Sequence, residues 1–388
     1  MKILILSCGG TIISPAGDGS GITAIKARDE AASYMVDELR RYEYFEPRMK
    51  RKFGSVPEFG SVFITDTDST NVGPAEWKLM IDAIVENYDD YDGFMLAHGT
   101  NSLAYTASAL SFGLPNLGKP VIVTGSNVAM GLPWSDGPAN ASNAILAIGR
   151  MSENQLNGVF TVFANKIIAG VRTKKASGVK LEAFRTFSKE EDVGKCIKDE
   201  PRFNTKEYES YRPWLTKETD SPWKTMKPAR YGRELKKINT EFSGIISSHT
   251  FHPGDDPEIY RLVINELARR RKEFDLPGGM IIRAVGDGDV SLLMQEKVFP
   301  HARENEIPIA VTTQEPQGVS SFSFNEQSAG AEDAYGIIPA HDMSIETMVI
   351  KLRYLMSTRA SYEEIHTEFK KNYLGEIDKS EPDEALYL

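Results

Sequence analysis

Met1-Lys2-Ile3-Leu4-Ile5-Leu6-Ser7-Cys8-Gly9-Gly10-Thr11 opens the chain. Its apolar run has the length of a strand and falls far short of the roughly 18 residues of a membrane helix. Without polar alternation, it reads as a strand buried on both faces, as in a parallel sheet. Gly9-Gly10 then breaks it. The same form recurs at Gly93 to Ala97 before His98-Gly99-Thr100, and at Pro120 to Thr124 before Gly125-Ser126. Ser61 to Thr65 is a further strand. Helical spacing lies between these runs: Pro74 to Asn87 puts Trp77, Met80, Ile81 and Ile84 on one face, and Ser102 to Phe112 and Asn140 to Met151 follow. Alternating strands and helices of this kind predict an α/β fold with a parallel sheet covered on both faces.

Three of these strands end in Gly followed by Thr or Ser: Gly10-Thr11, Gly99-Thr100 and Gly125-Ser126. Ligands of open parallel sheets bind beyond the carboxyl ends of the strands. Any one such pair could simply turn the chain and cap the next helix. Three in one sheet favour a site.

A chain of 388 residues exceeds one ordinary core and predicts two domains. The larger spans residues 1–187. Residues 188–240 are rich in Lys, Glu, Asp, Pro, Tyr and Trp and read as a connector or insertion, held to the surface by residues such as Trp214 and Trp223. A smaller domain, 241–388, alternates again. Gly244 to Ser247, Gly279 to Val285 and Ile309 to Thr312 read as strands; Pro257 to Lys272, Ser291 to Asn305 and Ser344 to Ser357 read as helices. The charged tail from Ser361 is expected to be partly mobile.

The net charge of -10 argues against a general nucleic-acid surface, which needs clustered cations. No apolar segment is long enough for a membrane span, and the short N-terminal run does not read as a secretory leader, so a cytoplasmic protein is expected. Two cysteines, Cys8 and Cys196, are too few for a disulfide framework. No His/Cys spacing reads as a metal site.

Candidate nucleophiles are Thr11, Ser69, Thr100 and Ser126. A hydroxyl needs a base or an activating environment. His98 is the nearest candidate base in sequence, although a lone histidine at a strand end is more often structural. A lysine whose amine is lowered by burial can serve instead, and Lys174 and Lys175 are both available. Their residue types alone do not select one.

The chain resembles the bacterial-type L-asparaginase/glutaminase family, especially its cytoplasmic type I branch. Ile5 to Ile12 resembles the signature around the first catalytic threonine, Asp68-Ser69-Thr70-Asn71 the substrate-carboxylate segment, and Ala97-His98-Gly99-Thr100-Asn101 the second signature. Ala104 to Phe112, Gly118 to Ser126, Arg172 to Ala176, Gly286-Asp287-Gly288-Asp289 and His341 to Ser344 are similar to further family segments. The resemblance implies a two-domain asparaginase-like fold and hydrolysis of L-asparagine to L-aspartate and ammonia. Thr11 would form an acyl-enzyme, with Thr100 and Lys175, favoured by the register, moving the proton. Gly10, Asp68, Ser69, Gly99, Asn101, Ser126 and Asp289 would bind substrate. The implied partner is a small-molecule amide, with no nucleic acid and no membrane, in a homodimer or homotetramer. No metal or organic cofactor is implied.

Three departures bear on that expectation. Asn101 stands where the family has the Asp that pairs with the substrate ammonium. Asp289 stands where the family has Asn, so the two changes read either as independent drift or a shifted alignment, or as a swap that lets Asp289 serve the ammonium. The loop from Ser14 to Ala27 lacks the family's Tyr and, with Gly17, Gly19 and Gly21, reads as a mobile lid; Tyr208 or Tyr211 could supply a phenol. The alternatives are hydrolysis of glutamine or of an amine-blocked asparagine derivative, and a non-catalytic binding protein on the same fold. The glutaminase component of the archaeal tRNA-dependent amidotransferases carries an extra N-terminal domain, and a chain opening on the first strand counts against that reading.

Overall fold

The computed structural model describes residues 1–13, 28–189, 191–212, 221–316, 318–322, 330–358 and 360–378. The expected lid at 14–27, Trp214 and the tail beyond 378 lie outside the described residues. The chain divides into two compact units: Met1–Lys217 with Trp223–Thr240, and Glu218–Pro222 with Glu241–Leu388.

The strands of the larger unit are β1 (Lys2–Cys8), β2 (Glu58–Thr65), β3 (Gly93–His98), β4 (Pro120–Thr124), β5 (Gly158–Phe163), β6 (Lys166–Ala169), β7 (Thr173–Lys175), β8 (Phe184–Thr186), β9 (Gly194–Ile197) and β10 (Glu200–Phe203). Its helices are α1 (Arg28–Arg41), α2 (Phe45–Phe53), α3 (Pro74–Glu86), α4 (Leu103–Gly113), α5 (Gly137–Glu153) and α6 (Thr205–Ser210). One sheet runs in the order β10-β9-β6-β5-β4-β3-β1-β2. From β2 to β5 it is parallel, as the apolar runs predict. β6, β9 and β10 extend the β5 edge with antiparallel pairings, so the complete sheet is mixed.

The inner parallel strands are largely apolar because they are covered on both faces: β3 and β4 are buried along their whole length and β1 everywhere except Lys2, whereas β2 at the edge has no fully buried position. Chain order reverses at β1, which has β2 on one side and β3 on the other. A crevice opens at such a switch point. Cys8 is paired with His98 there, so the Gly-Gly-Thr after β1 and the Gly-Thr after β3 leave the sheet side by side.

Segment 188–240 helps to build this unit. β9 and β10 join the sheet, Tyr208 stacks on Phe160 with ring centroids 6.2 Å apart, and Trp223 meets Phe112 edge-on at 6.0 Å.

The smaller unit holds a parallel sheet, β11 (Ile245–Thr250), β12 (Gly278–Ala284), β13 (Ile309–Thr313) and β14 (Ile338–Pro339), in that order. Its helices are α7 (Pro257–Phe274), α8 (Leu292–Lys297), α9 (Phe299–Glu304), α10 (Ala331–Tyr335), α11 (Ile345–Ser357) and α12 (Tyr362–Phe369). Tyr260, Ile264, Met280, Ile282, Phe299 and Val311 lie in its core. The single helix expected from Ser291 to Asn305 is instead two, α8 and α9. Pro300, in the first turn of α9, has no N–H to continue the preceding helix. The tail expected to be mobile is packed as far as it is described: Phe369, Tyr373, Leu374 and Ile377 are buried, and Glu376 pairs with Lys351 at 2.7 Å. Among the described residues no helix is long and apolar enough to cross a membrane.

Candidate active site

The site is built where backbones touch. Gly10 has φ +83°, and a Cβ on it would lie 2.3 Å from the Cα of Gly99. A Cβ on Gly99 would lie 2.6 Å from the Cβ and Oγ of Ser69, and one on Gly125 would lie 2.5 Å from the His98 carbonyl and 3.3 Å from Thr100 Cγ2. Any side chain at these positions would push the strand ends apart. Their absence brings Thr11, Ser69, Thr100 and Ser126 to one end of the sheet.

Each segment is then fixed by polar contacts. The Asp68 carboxylate accepts from the Thr70 N–H (2.8 Å) and hydroxyl (2.7 Å), capping the turn at Ser69–Asn71. Those bonds hold its carboxyl below the usual carboxylate range. Ser69 is buried, and the Ser102 hydroxyl donates to its carbonyl. Beyond Ser126, the Asp136 carboxylate accepts from the N–H groups of Asn127 and Val128. Asn140 donates to both Asp136 (3.1 Å) and the Gly125 carbonyl (2.9 Å). Ser126 itself is 1% exposed, and its Oγ has no hydrogen-bond partner among the described residues.

His98 is fully buried between β3 and α4. A carbonyl can only accept, so its Nδ1–H donates to the Gly99 carbonyl at 2.8 Å. Its Nε2 accepts from Thr106 at 2.9 Å, and Thr106 accepts from the Trp77 indole at 3.1 Å. Burial pushes the imidazole down to about 4, so it is neutral at physiological pH. Both nitrogens are engaged in holding the turn, which is a structural role.

Lys175 arrives on the β7–β8 hairpin. Thr173 anchors that hairpin through its hydroxyl, 2.9 Å from the Thr161 hydroxyl and 3.0 Å from the Ala169 carbonyl. Lys175 Nζ lies 2.9 Å from Thr100 Oγ1 and donates to Asn101 Oδ1 at 2.9 Å. Partial burial lowers its amine below the usual lysine range. An amine made easier to deprotonate and touching a hydroxyl is equipped to take that hydroxyl's proton.

Asp289 lies in the smaller unit, bridged to Val285 in a tight turn after β12. Tyr208 cannot supply the missing phenol. It is buried below the amino ends of β4 and β5, where its hydroxyl accepts from the Asn157 N–H at 2.9 Å. It lines a cleft of about 800 Å³ with Lys119, Pro120 and Arg230, at the end of the sheet opposite Thr11 and Thr100. Tyr211 is also buried, under Lys189 Nζ at 5.2 Å. Among the described residues no cluster of His, Cys, Asp or Glu is placed to hold a metal ion.

Sequence reading missed Ser102, Asp136 and Asn140, which position the site without facing it. Asp136 before Gly137-Pro138 carried a legible signal, an acidic residue ahead of a helix that starts with Pro. Asn140 carried none.

The family described as "Asparaginase, N-terminal" matches residues 2–209, and "Glutaminase/Asparaginase C-terminal domain" matches residues 246–369. The chain is 28% identical to the L-asparaginase of Thermococcus kodakarensis over 98% of this chain and all of the relative. The solved structure of that enzyme superposes with a TM-score of 0.75, at 27% identity over 98% of this chain and all of that one. Identity to L-asparaginase 1 of Escherichia coli is 29% over 85% of this chain and 90% of that protein. Identity to a glutamyl-tRNA(Gln) amidotransferase subunit of Aeropyrum pernix is 27% over 97% of this chain and 80% of that protein. Both units are matched, in order and over most of their length, and the chain belongs to the asparaginase family.

Proposed function

We propose that this protein is an amidohydrolase that cleaves the side-chain carboxamide of asparagine, giving an aspartyl product and ammonia. Thr11 Oγ attacks the carboxamide carbon, and N–H groups near Thr100 stabilise the oxyanion. Collapse of the tetrahedral intermediate breaks the C–N bond, releases ammonia and leaves an ester on Thr11. Water, deprotonated through Thr100 and Lys175, hydrolyses that ester. No step calls on a metal or organic cofactor.

The observation that carries this reading is the 2.9 Å contact between the half-buried Lys175 amine and Thr100 Oγ1. It lies at the switch point of the sheet, beside the backbone that carries Thr11. A binding protein has no use for a lysine with a lowered amine against a hydroxyl. Substrate contacts are assigned to Gly10, Asp68, Ser69, Gly99, Asn101 and Ser126. Two buried cysteines without a disulfide suit a reducing compartment, and cytoplasmic location and a homodimer or homotetramer belong to the same proposal.

The test is ammonia release from asparagine and its derivatives by the wild-type protein and Thr11→Ala. Turnover abolished in the variant supports the proposal. Turnover that survives removes Thr11 as nucleophile.

A further inference from the structure

Asn101 decides what can stand next to the reacting centre. Its side chain is exposed, and its Oδ1 accepts from Lys175 Nζ at 2.9 Å. A lysine amine in that contact needs an acceptor, which fixes the amide's orientation by chemistry. Nδ2 is therefore the free end, with no partner among the described residues. Around Thr100 the site thus offers a lysine amine, the Asn101 N–H₂ and the unpartnered Ser126 hydroxyl. Two carboxylates of the adjoining segments already carry hydrogen bonds. Asp68 is held by Thr70, and Asp136 by Asn127, Val128 and Asn140.

The α-amine of an asparagine is only three bonds from its carboxamide carbon. With that carbon at Thr11 and Thr100, the amine's substituent falls among these groups. A free ammonium brings only N–H donors and a positive charge, so it meets another donor in Asn101 Nδ2 and the Lys175 amine, and among these groups only the Ser126 hydroxyl can accept from it. An acylated amine is neutral and adds a carbonyl oxygen, which accepts from Asn101 Nδ2.

We propose that the preferred substrate is an asparagine whose α-amine is acylated, either as a small N-acyl amino acid or in peptide linkage. The inference rests on the carboxamide hydrolysis proposed above. Thr11 forms an ester with the side-chain acyl group as ammonia leaves, and water cleaves that ester. The balance is N-acyl-asparagine plus water to N-acyl-aspartate plus ammonia, with the α-amide bond intact.

The test compares kcat/KM for ammonia release from N-acetyl-L-asparagine, glycyl-L-asparagine and L-asparagine. At least one acylated substrate is expected to exceed L-asparagine tenfold or more, and the pair of them separates a free acyl amino acid from a peptide. Asn101→Asp is expected to reverse the preference by supplying a carboxylate to the ammonium. L-asparagine equal to or better than both acylated substrates overturns the inference and leaves carboxamide hydrolysis standing. If Asp289→Ala then raises the KM for L-asparagine, the smaller unit supplies the missing carboxylate. If no substrate releases ammonia, the hydrolytic reading fails and binding decides the inference. A larger thermal shift with N-acetyl-L-aspartate than with L-aspartate supports an acylated ligand, and the reverse order overturns it.

Discussion

Lys175 and His98 are both partly or wholly withdrawn from water, and burial lowers both, yet only one is free to act on a substrate. His98 has each nitrogen committed to the fold, whereas Lys175 reaches a hydroxyl at the strand ends. Lys175→Met is expected to lower kcat by roughly 10²- to 10⁴-fold, the range for removing a positioned acid–base group. In the proposed mechanism the base is the neutral amine, so wild-type kcat/KM should climb with pH through the lowered amine. Lys175→Arg keeps a donor of similar reach but not a removable proton, so it should show neither the activity nor the climb. A steady-state pH series on all three proteins reads this directly. For His98 the effect falls on stability. The folded imidazole sits at about 4 against about 6.5 in the unfolded chain. The unfolded state therefore binds the extra proton in that window. Stability is complete above pH 6.5 and falls as pH drops toward 4, by on the order of 3 kcal/mol. A Tm series from pH 7.5 to 4.5 should slope less in His98→Asn than in wild type. Equal slopes would assign the acid sensitivity to other groups. These roles divide at the limit of what a sequence shows. Thr11 and Thr100 stand out because Gly precedes each at a strand end. The neutrality of His98 depends on its complete burial, which only the assembled fold provides.

At the scale of elements, the parallel strands were legible because burial on both faces demands uninterrupted apolar runs. The edge strands were not. β9 carries exposed lysine and isoleucine beside buried residues, and its turn to β10 is Lys198-Asp199, with φ of 49° and 65°. That is the left-handed pair of a two-residue hairpin, where Asn-Gly is the usual signal. Neither residue announces it. The turns after β1 and β3 show the opposite case, since their glycines are read from sequence but their purpose is visible only in the fold. Gly10 and Gly54 both have positive φ, but a Cβ on Gly54 meets nothing within 4 Å, while one on Gly10 strikes Gly99. Gly54→Ala should cost about 1–2 kcal/mol of backbone strain and leave kcat unchanged. Gly10→Ala adds a backbone collision to the same strain, and should lose more stability and most of its activity. Urea midpoints and kcat on the two variants check the contrast. Similar losses of activity in both would mean that the close approach of β1 and β3 is not what sets the site.

Over the whole molecule, the chain is two cores of different construction. The larger relies on a wide sheet, whose strand ends carry the candidate residues Thr11, Thr100 and Ser126. The smaller closes its C-terminal segment with a buried ion pair: Lys351 Nζ and Glu376 are 2.7 Å apart with both side chains 0% exposed, and Glu376 also accepts from the N–H groups of Tyr373 and Leu374. Sequence reading expected mobility there because the segment is charged, and it could not see that one of those charges turns inward. Lys351→Met strands the Glu376 carboxylate in the core, at a cost of about 3–5 kcal/mol. Replacing both partners, with Lys351→Met and Glu376→Leu, should recover much of that loss. The tryptophans make the effect separable by unit, because Trp77, Trp134, Trp214 and Trp223 all belong to the larger one. In a urea titration of Lys351→Met, circular dichroism should detect unfolding at lower urea than wild type, while tryptophan fluorescence keeps the wild-type midpoint. If fluorescence and circular dichroism move together, the smaller unit is not an independent folding unit, and its ion pair stabilises the larger unit as well.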